Sequence, residues 1–262
     1  MDNEILACIT GGKKDLSPFR YGLSASSAEG TGLFLAYIKN IKKKKKEPGP
    51  AKKAAVLDTF NSALREGENS NVDISGDIFE GDPEKLIPDM APNFKLVFLP
   101  KFIIDSSASR KKILRIAETV IRKCGIPVVL CPQKSCRIKD ILVPFSGSPQ
   151  ASNVLSFSCG YAARRGLFLK VLIVSNNDEE FVSIKKQSDA VILSSGVKEN
   201  YSYIFSVGRP ADSIINTINH ESEENTMISM AAFGHSRLRD LMIGNSVGEI
   251  INSSDSPVML FK

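Results

Sequence analysis

The sequence predicts an α/β protein with two tandem domains, each an open sheet of five parallel strands covered by helices on both faces. Three observations support this prediction. Short apolar runs alternate with longer mixed segments, 262 residues suit two domains of about 130 residues, and segments of the first half recur in the second. Alternating strands and helices favour a parallel sheet with right-handed crossovers.

The repeat consists of four short segments that occur in the same order in both halves, separated by 127 to 136 residues. The matched pairs are 5–12 with 141–148, 32–35 with 166–169, 81–83 with 208–210, and 126–130 with 256–260. Their common order and nearly constant separation indicate a duplicated unit. The polar, basic stretch 133–139 predicts a linker between domains at 1–133 and 138–262.

The strands of the second half are predicted from its apolar runs. The first is 141–145, and the second, 167–174, is apolar apart from Lys170 and is predicted as a strand buried on both faces. Segment 201–207 alternates aromatic and β-branched residues with serine, which is typical of a strand. Segments 226–233 and 257–261 complete the predicted set.

The helices are predicted between these strands. Segment 151–165 has small and apolar residues at helical spacing, and Gly166 ends it. Pro210 suits the first turn of a helix over 211–220. The remaining helices of this half are predicted over 181–194 and 247–253. The first half is predicted to follow the same plan, with strands at 5–9, 32–38, 72–78, 95–99 and 127–130.

Composition limits the classes of function. A hydrophobic content of 42% and a charged content of 24% fit a globular protein, and no apolar run approaches the ~18 residues of a membrane span. The acidic start, Met1-Asp2-Asn3-Glu4, differs from a signal peptide, so we expect a cytoplasmic location. Cys131 and Cys136 form C-x4-C without a second pair, which favours buried, inert thiols over a metal site.

Much of the net charge of +5 lies in one run of lysines, Lys42 to Lys46. A contact with phosphate, nucleic acid or acidic lipid is one interpretation of such a run. Proteins that bind single-stranded nucleic acid usually have aromatic residues on which the bases stack, and no aromatic residue lies between these lysines. We therefore expect a solvated loop there, with no specific nucleic-acid or membrane partner.

The candidate site follows the fourth strand of the second half. An open parallel sheet binds ligands beyond the carboxyl ends of its strands. Gly234 and Gly244 flank a loop that leads into a helix, so backbone N–H groups there can bind a phosphate. Asn245 and Ser246 add polar contacts or cap the helix. Simple turns at the two glycines are the alternative interpretation.

The loop residues and three other segments of the second half resemble the sequence motifs of a known protein family. The pattern A-x2-G-x9-G-N, at Ala231, Gly234, Gly244 and Asn245, resembles the nucleotide signature G-x2-G-x9-G-[ST] of the universal stress protein family. Segments 141–148, 208–211 and 255–258 resemble the opening strand, the Gly-Asp-Pro-Ala segment and the closing strand of that family. The resemblance covers the second half and four places in the first.

The resemblance implies two Rossmann-like, adenine-nucleotide alpha-hydrolase-like domains that form a pseudo-dimer about a pseudo-two-fold axis, with a further homodimer left open. It implies a stress-response role in binding or sensing ATP or another adenine nucleotide, with protein partners and without dedicated catalysis. The nucleotide-binding residues it implies are Pro144, Ser146, Ala231, Gly234, Gly244, Asn245 and Ser246.

Three of these positions differ from the family pattern. Ser146 stands in the place of an acidic residue, Ala231 in that of a glycine, and Asn245 in that of serine or threonine. The first half has Thr10 at the acidic position and no glycine in 101–116, so we expect it to be a degenerate, structural partner. An interaction scaffold without nucleotide binding remains an alternative. A slow ATPase is another, although Asp240 is the only acid in the loop.

Overall fold

The computed structural model describes residues 4–10, 15–39, 50–101, 107–134, 137–220, 225–233 and 245–262. Side chains of 50–53, 107–112, 220 and 245 are outside this description. The chain divides into two compact units, Met1–Ser135 and Cys136–Lys262, called here the first and second units. No helix in the described ranges is long and apolar enough to cross a membrane.

The first unit alternates strands and helices along the chain. Its strands are β1 (Ile5–Thr10), β2 (Leu33–Lys39), β3 (Ile74–Glu80), β4 (Leu96–Pro100) and β5 (Val128–Cys131). Its helices are α1 (Ser17–Glu29), α2 (Pro50–Gly67), α3 (Pro83–Met90) and α4 (Ser107–Cys124), and a short 3-10 turn spans Ala91–Asn93.

The second unit repeats this alternation. Its strands are β6 (Asp140–Pro144), β7 (Phe168–Val174), β8 (Tyr201–Ser206), β9 (Thr226–Ala231) and β10 (Val258–Phe261). Its helices are α5 (Pro149–Arg165), α6 (Asp178–Ser194), α7 (Pro210–His220) and α8 (Asn245–Ser253).

The strand order is the same in the two units. The first unit has the order β3-β2-β1-β4-β5, and the second has the matching order β8-β7-β6-β9-β10. Neighbouring strands within each unit are parallel. This arrangement confirms the predicted fold class. In each unit the order reverses at the first strand, which creates a switch point between β1 and β4 and between β6 and β9.

Strands β4, β5 and β10 are apolar and buried at every residue, because helices cover both faces of a parallel sheet. The predicted strand 72–78 is shifted to Ile74–Glu80. Helix α2 runs to Gly67, and a turn follows in which the Ser70 N–H donates to the Gly67 carbonyl oxygen at 2.9 Å. The bend after that turn extends to residue 72, where the strand was expected to begin.

Matching glycines end the first helix of each unit. Gly30 follows α1 and Gly166 follows α5, each with φ of 62°. This left-handed conformation favours glycine, which has no Cβ to meet the preceding carbonyl. The two residues are 136 positions apart, the separation seen in the sequence repeat.

The same helix-to-sheet contact is made in two different ways. In the first unit, a Cβ added to Gly22 on α1 would meet Leu33 at 3.0 Å and Phe98 of β4 at 3.7 Å, so a small residue faces a large one. In the second unit, the corresponding residues are Ser158 on α5 and Ser229 on β9, whose hydroxyl oxygens are 2.7 Å apart and fully buried. The hydrogen bond satisfies two groups that would otherwise be buried without a partner.

This buried pair gives a stability prediction. We expect Ser158→Ala to lower the free energy of unfolding of the second unit by about 1–3 kcal/mol, because the Ser229 hydroxyl would remain buried without a partner. Replacing both serines by alanine should recover part of that loss. Urea denaturation of the two single variants and the double variant measures the coupling, and strictly additive losses would contradict it.

Candidate functional site

A cavity of about 390 Å³ lies at the switch point of the second unit, beyond the carboxyl ends of β6 and β9. Its inner wall is apolar and includes Phe145, Val154, Leu172, Ile214 and Ile250, all at most 3% exposed. The side chains at its mouth are polar and exposed. The mouth residues are Ser146, Gln150 and Ser246. No charged side chain lines the cavity in the part of the chain that the structure describes.

The structure brings together four of the seven residues implied by the family resemblance. Pro144, Ser146, Ala231 and Ser246 all line the cavity. Gly234 and Gly244 lie outside the described residues, as do the lysine run Lys42 to Lys46 and Asp240. Asn245 is the first residue of α8, and its side chain is outside the description.

Three helices begin beside the cavity. Ala151 near the start of α5, Pro210 and Ala211 at the start of α7, and Val247 at the start of α8 line it. The first N–H groups of a helix carry partial positive charge and have no partner within the helix. The arrangement therefore offers hydrogen-bond donors and positive potential to an anionic group without using a cationic side chain.

Two serines connect the end of β6 to the start of α5. The Ser148 hydroxyl oxygen caps α5 by accepting from the Ala151 N–H at 3.1 Å. The Ser146 hydroxyl donates to the same oxygen at 3.2 Å. The oxygen of Ser146 can therefore accept a hydrogen bond from a ligand hydroxyl at the mouth, a role in which a carboxylate would be the stronger acceptor.

Arg209 links two of the helices that border the cavity. Its backbone carbonyl accepts from the Ser213 N–H at 3.0 Å, which makes it the residue before the first turn of α7. Its guanidinium forms bidentate pairs with Asp212, closest at 2.7 Å, and with Glu249 of α8, also closest at 2.7 Å. The bonds from Arg209 lower the pKa of Asp212, and those to both carboxylates raise the pKa of the arginine.

The first unit has different side chains at its own switch point. Lys101 corresponds to Ala232, because their N–H groups donate to the equivalent carbonyls of Cys131 and Phe261 at 2.6 and 2.8 Å. One position earlier, Pro100 of β4 matches Ala231 of β9. Lys101 is only 1% exposed. Larger residues thus replace the alanine pair of the second unit.

Sequence reasoning missed most of the apolar wall of the cavity. Val154 and Ile250 were assigned only to helices, and Phe233 was expected to continue a strand. The strand ends at Ala231, and Phe233 lines the cavity instead. The helical periodicity of α5 and α8 identifies the face of each helix that points inward. The same apolar pattern occurs whether that face packs in a core or lines a cavity, so the sequence does not distinguish the two.

The chain is similar to known proteins both in sequence and in structure. No family model matches the chain. A universal stress protein of Synechocystis is 25% identical over 147 residues, which span 55% of this chain and 50% of that protein. The chain thus matches half the length of this curated relative.

Several solved structures match nearly the whole chain. A universal stress protein from Archaeoglobus fulgidus has a TM-score of 0.71 at 15% identity, and the match covers 99% of this chain and 98% of that chain. A protein of unknown function from Pseudomonas aeruginosa has a TM-score of 0.66 at 14% identity, with 99% and 92% covered. The chain is therefore similar in sequence to a universal stress protein over about half of its length, and it shares the fold of a solved universal stress protein over nearly all of it.

Proposed function

We propose that the second unit binds an adenine nucleotide, ATP among the candidates, and that the protein senses or carries this nucleotide in a stress response. The observation that supports this most strongly is the cavity at the β6–β9 switch point, which collects Pro144, Ser146, Ala231 and Ser246. In open parallel sheets, this is the position where ligands bind.

The size and lining of the cavity suit such a ligand. A volume of about 390 Å³ lies within the range of small-molecule sites, ~300–1,000 Å³. The apolar wall can cover the faces of a purine base. The helix starts at Ala211 and Val247 supply donors for phosphate oxygens, and Ser146 supplies an acceptor for a ribose hydroxyl.

In this proposal the first unit has a structural role. Its switch point carries Pro100 and the buried Lys101 where the second unit has two alanines. Thr10 stands in the place of Ser146, and the strand that carries it makes the same two pairings as β6. The backbone plan is shared, so the difference between the units lies in side-chain size at one edge of the sheet.

A scaffold that binds no nucleotide is the second candidate. It is favoured by the neutral lining of the cavity in the described part of the chain and by Ser146 in the place of an acidic residue. Neither of the two proposals includes catalysis. Among the described residues, no group of three or more histidine, cysteine or acidic side chains could hold a metal ion.

The first test compares equivalent residues of the two units. We expect Ser146→Ala to weaken ATP binding about two- to tenfold, the value of one neutral hydrogen bond, and Ala231→Leu to remove binding by filling the cavity. The matched control, Thr10→Ala, should leave the affinity unchanged. Isothermal titration calorimetry with ATP and adenosine makes the measurement. The scaffold is the better proposal if the unaltered protein binds neither ligand.

A second test concerns the position of α8. We expect Arg209→Ala to speed hydrogen exchange of the α8 amides and to weaken ATP binding, because the ion pair with Glu249 that ties α8 to α7 is lost. Arg20→Ala breaks a similar exposed pair with Glu66 in the first unit and should change neither quantity. Unchanged exchange in α8 of the Arg209 variant would show that packing alone holds this helix.

A further inference from the structure

Strand β8 stands at one end of the strand order of the second unit, beside β7. The Asn200 and Ser206 carbonyl oxygens accept from the Leu169 and Ser175 N–H groups at 2.9 and 3.0 Å, so these carbonyls face β7. Peptide groups alternate in direction along an extended strand. The N–H and C=O groups of Tyr201, Tyr203 and Phe205 therefore face away from β7, in the arrangement that accepts a further strand.

The corresponding strand of the first unit is β3. Register fixes the correspondence, because Ile74 pairs with Leu33 of β2 as Tyr201 pairs with Leu169 of β7. At three later positions, β3 carries residues that discourage further pairing, and β8 carries residues that favour it. The pairs are Gly76 with Tyr203, Asp77 with Ile204, and Glu80 with Val207.

Apolar side chains are exposed along β8. Phe205 is 43% exposed and Val207 is 64% exposed, and Val182 of α6 is 62% exposed. The ring of Phe205 also lies 4.5 Å from that of Phe181, which extends the apolar surface onto α6. Burial of such a surface would be favourable at roughly 25 cal/mol per Å².

We propose that a second copy of the chain pairs with this edge, β8 against β8, antiparallel about a two-fold axis. If the peptide groups that face away from β7 pair with those of the second copy, the two-fold axis can pass beside Ile204, so that Ile204 of one copy lies opposite Ile204 of the other. In this register Tyr203 lies opposite Phe205, and Tyr201 lies opposite Val207. Aromatic pairs and aromatic with β-branched pairs stabilise antiparallel strands.

Charge favours a second copy as the partner. In a two-fold contact each strand meets its own sequence, so a charge near the centre would lie close to a like charge. Strand β8 and Val207 have no charged residue, whereas the same stretch of β3 has Asp77 and Glu80. Self-pairing would therefore meet no repulsion along β8 and would meet it along β3.

The side chain of Tyr203 on β8 is held in place by side chains of α6 in the single chain. The Tyr203 hydroxyl donates to Asp189 at 2.6 Å, and its oxygen is 3.0 Å from the hydroxyl of Ser188. The Lys185 ammonium lies 4.5 Å from the centre of the tyrosine ring and 2.8 Å from Asp189. A side chain held in this way loses little conformational entropy on association.

The test is the oligomeric state of the full chain, measured by sedimentation and light scattering over a range of concentrations. We expect a species of twice the 28.6 kDa of the chain, and we expect Val207→Glu, which copies Glu80 of β3, to give a monomer. Val207 is exposed, so this variant should keep its fold by circular dichroism. The matched control, Asp77→Lys on β3, should remain a dimer. A monomer at every concentration, or a dimer unaffected by Val207→Glu, would overturn the proposal.

The register has its own test. Hydrogen-bonded residues opposite each other in antiparallel strands have Cα atoms about 5.5 Å apart, within the range of a disulfide. The double variant Tyr201→Cys/Val207→Cys should therefore form a covalent dimer when a copper–phenanthroline oxidant removes two electrons from each thiol pair. Val207→Cys alone should not. A double variant that stays non-covalent while dimeric would overturn the antiparallel pairing.

Discussion

The first strand of each unit is paired on both sides, and this constraint determines the rest of the structure. β6 is hydrogen-bonded to β7 and to β9, and β1 to β2 and β4, so the chain must leave the first strand in one direction and later return on its other side. Loops that leave neighbouring strands in opposite directions leave a gap at the carboxyl edge. The cavity of the second unit lies at that gap.

The two units show how one backbone plan supports different sites. The helix-to-sheet contact uses Gly22 against Phe98 in one unit and a hydrogen-bonded serine pair in the other. The residue before the third helix is Asp82 in the first unit, where it caps α3 through the Glu84 N–H at 3.2 Å. Its counterpart Arg209 cannot accept that bond and instead joins two helices through carboxylates. Backbone geometry is shared, and the side chains determine what each unit can bind.

A large part of the fold could be predicted from the sequence. The largely apolar run of β7, the apolar run of β10, the glycine at the end of α5 and the proline at the start of α7 are local signals with local causes. The repeat of segments at nearly constant separation then predicted the plan of the first unit from that of the second. The start of β3 was misplaced by two residues, because the length of α2 and the turn at Ser70 leave no distinct local signal.

The sequence alone determined the order of strands and helices, the duplication and four residues that line the cavity. Tertiary structure decided which apolar residues line the cavity, since the sequence pattern identifies Val154 and Ile250 only as residues on the inward faces of helices. It also decided that β3 and β8 stand at the ends of their strand orders, each with a row of peptide groups facing away from its one neighbouring strand. Exposure and the direction of peptide groups depend on which strand lies alongside, and that neighbour is distant in the sequence.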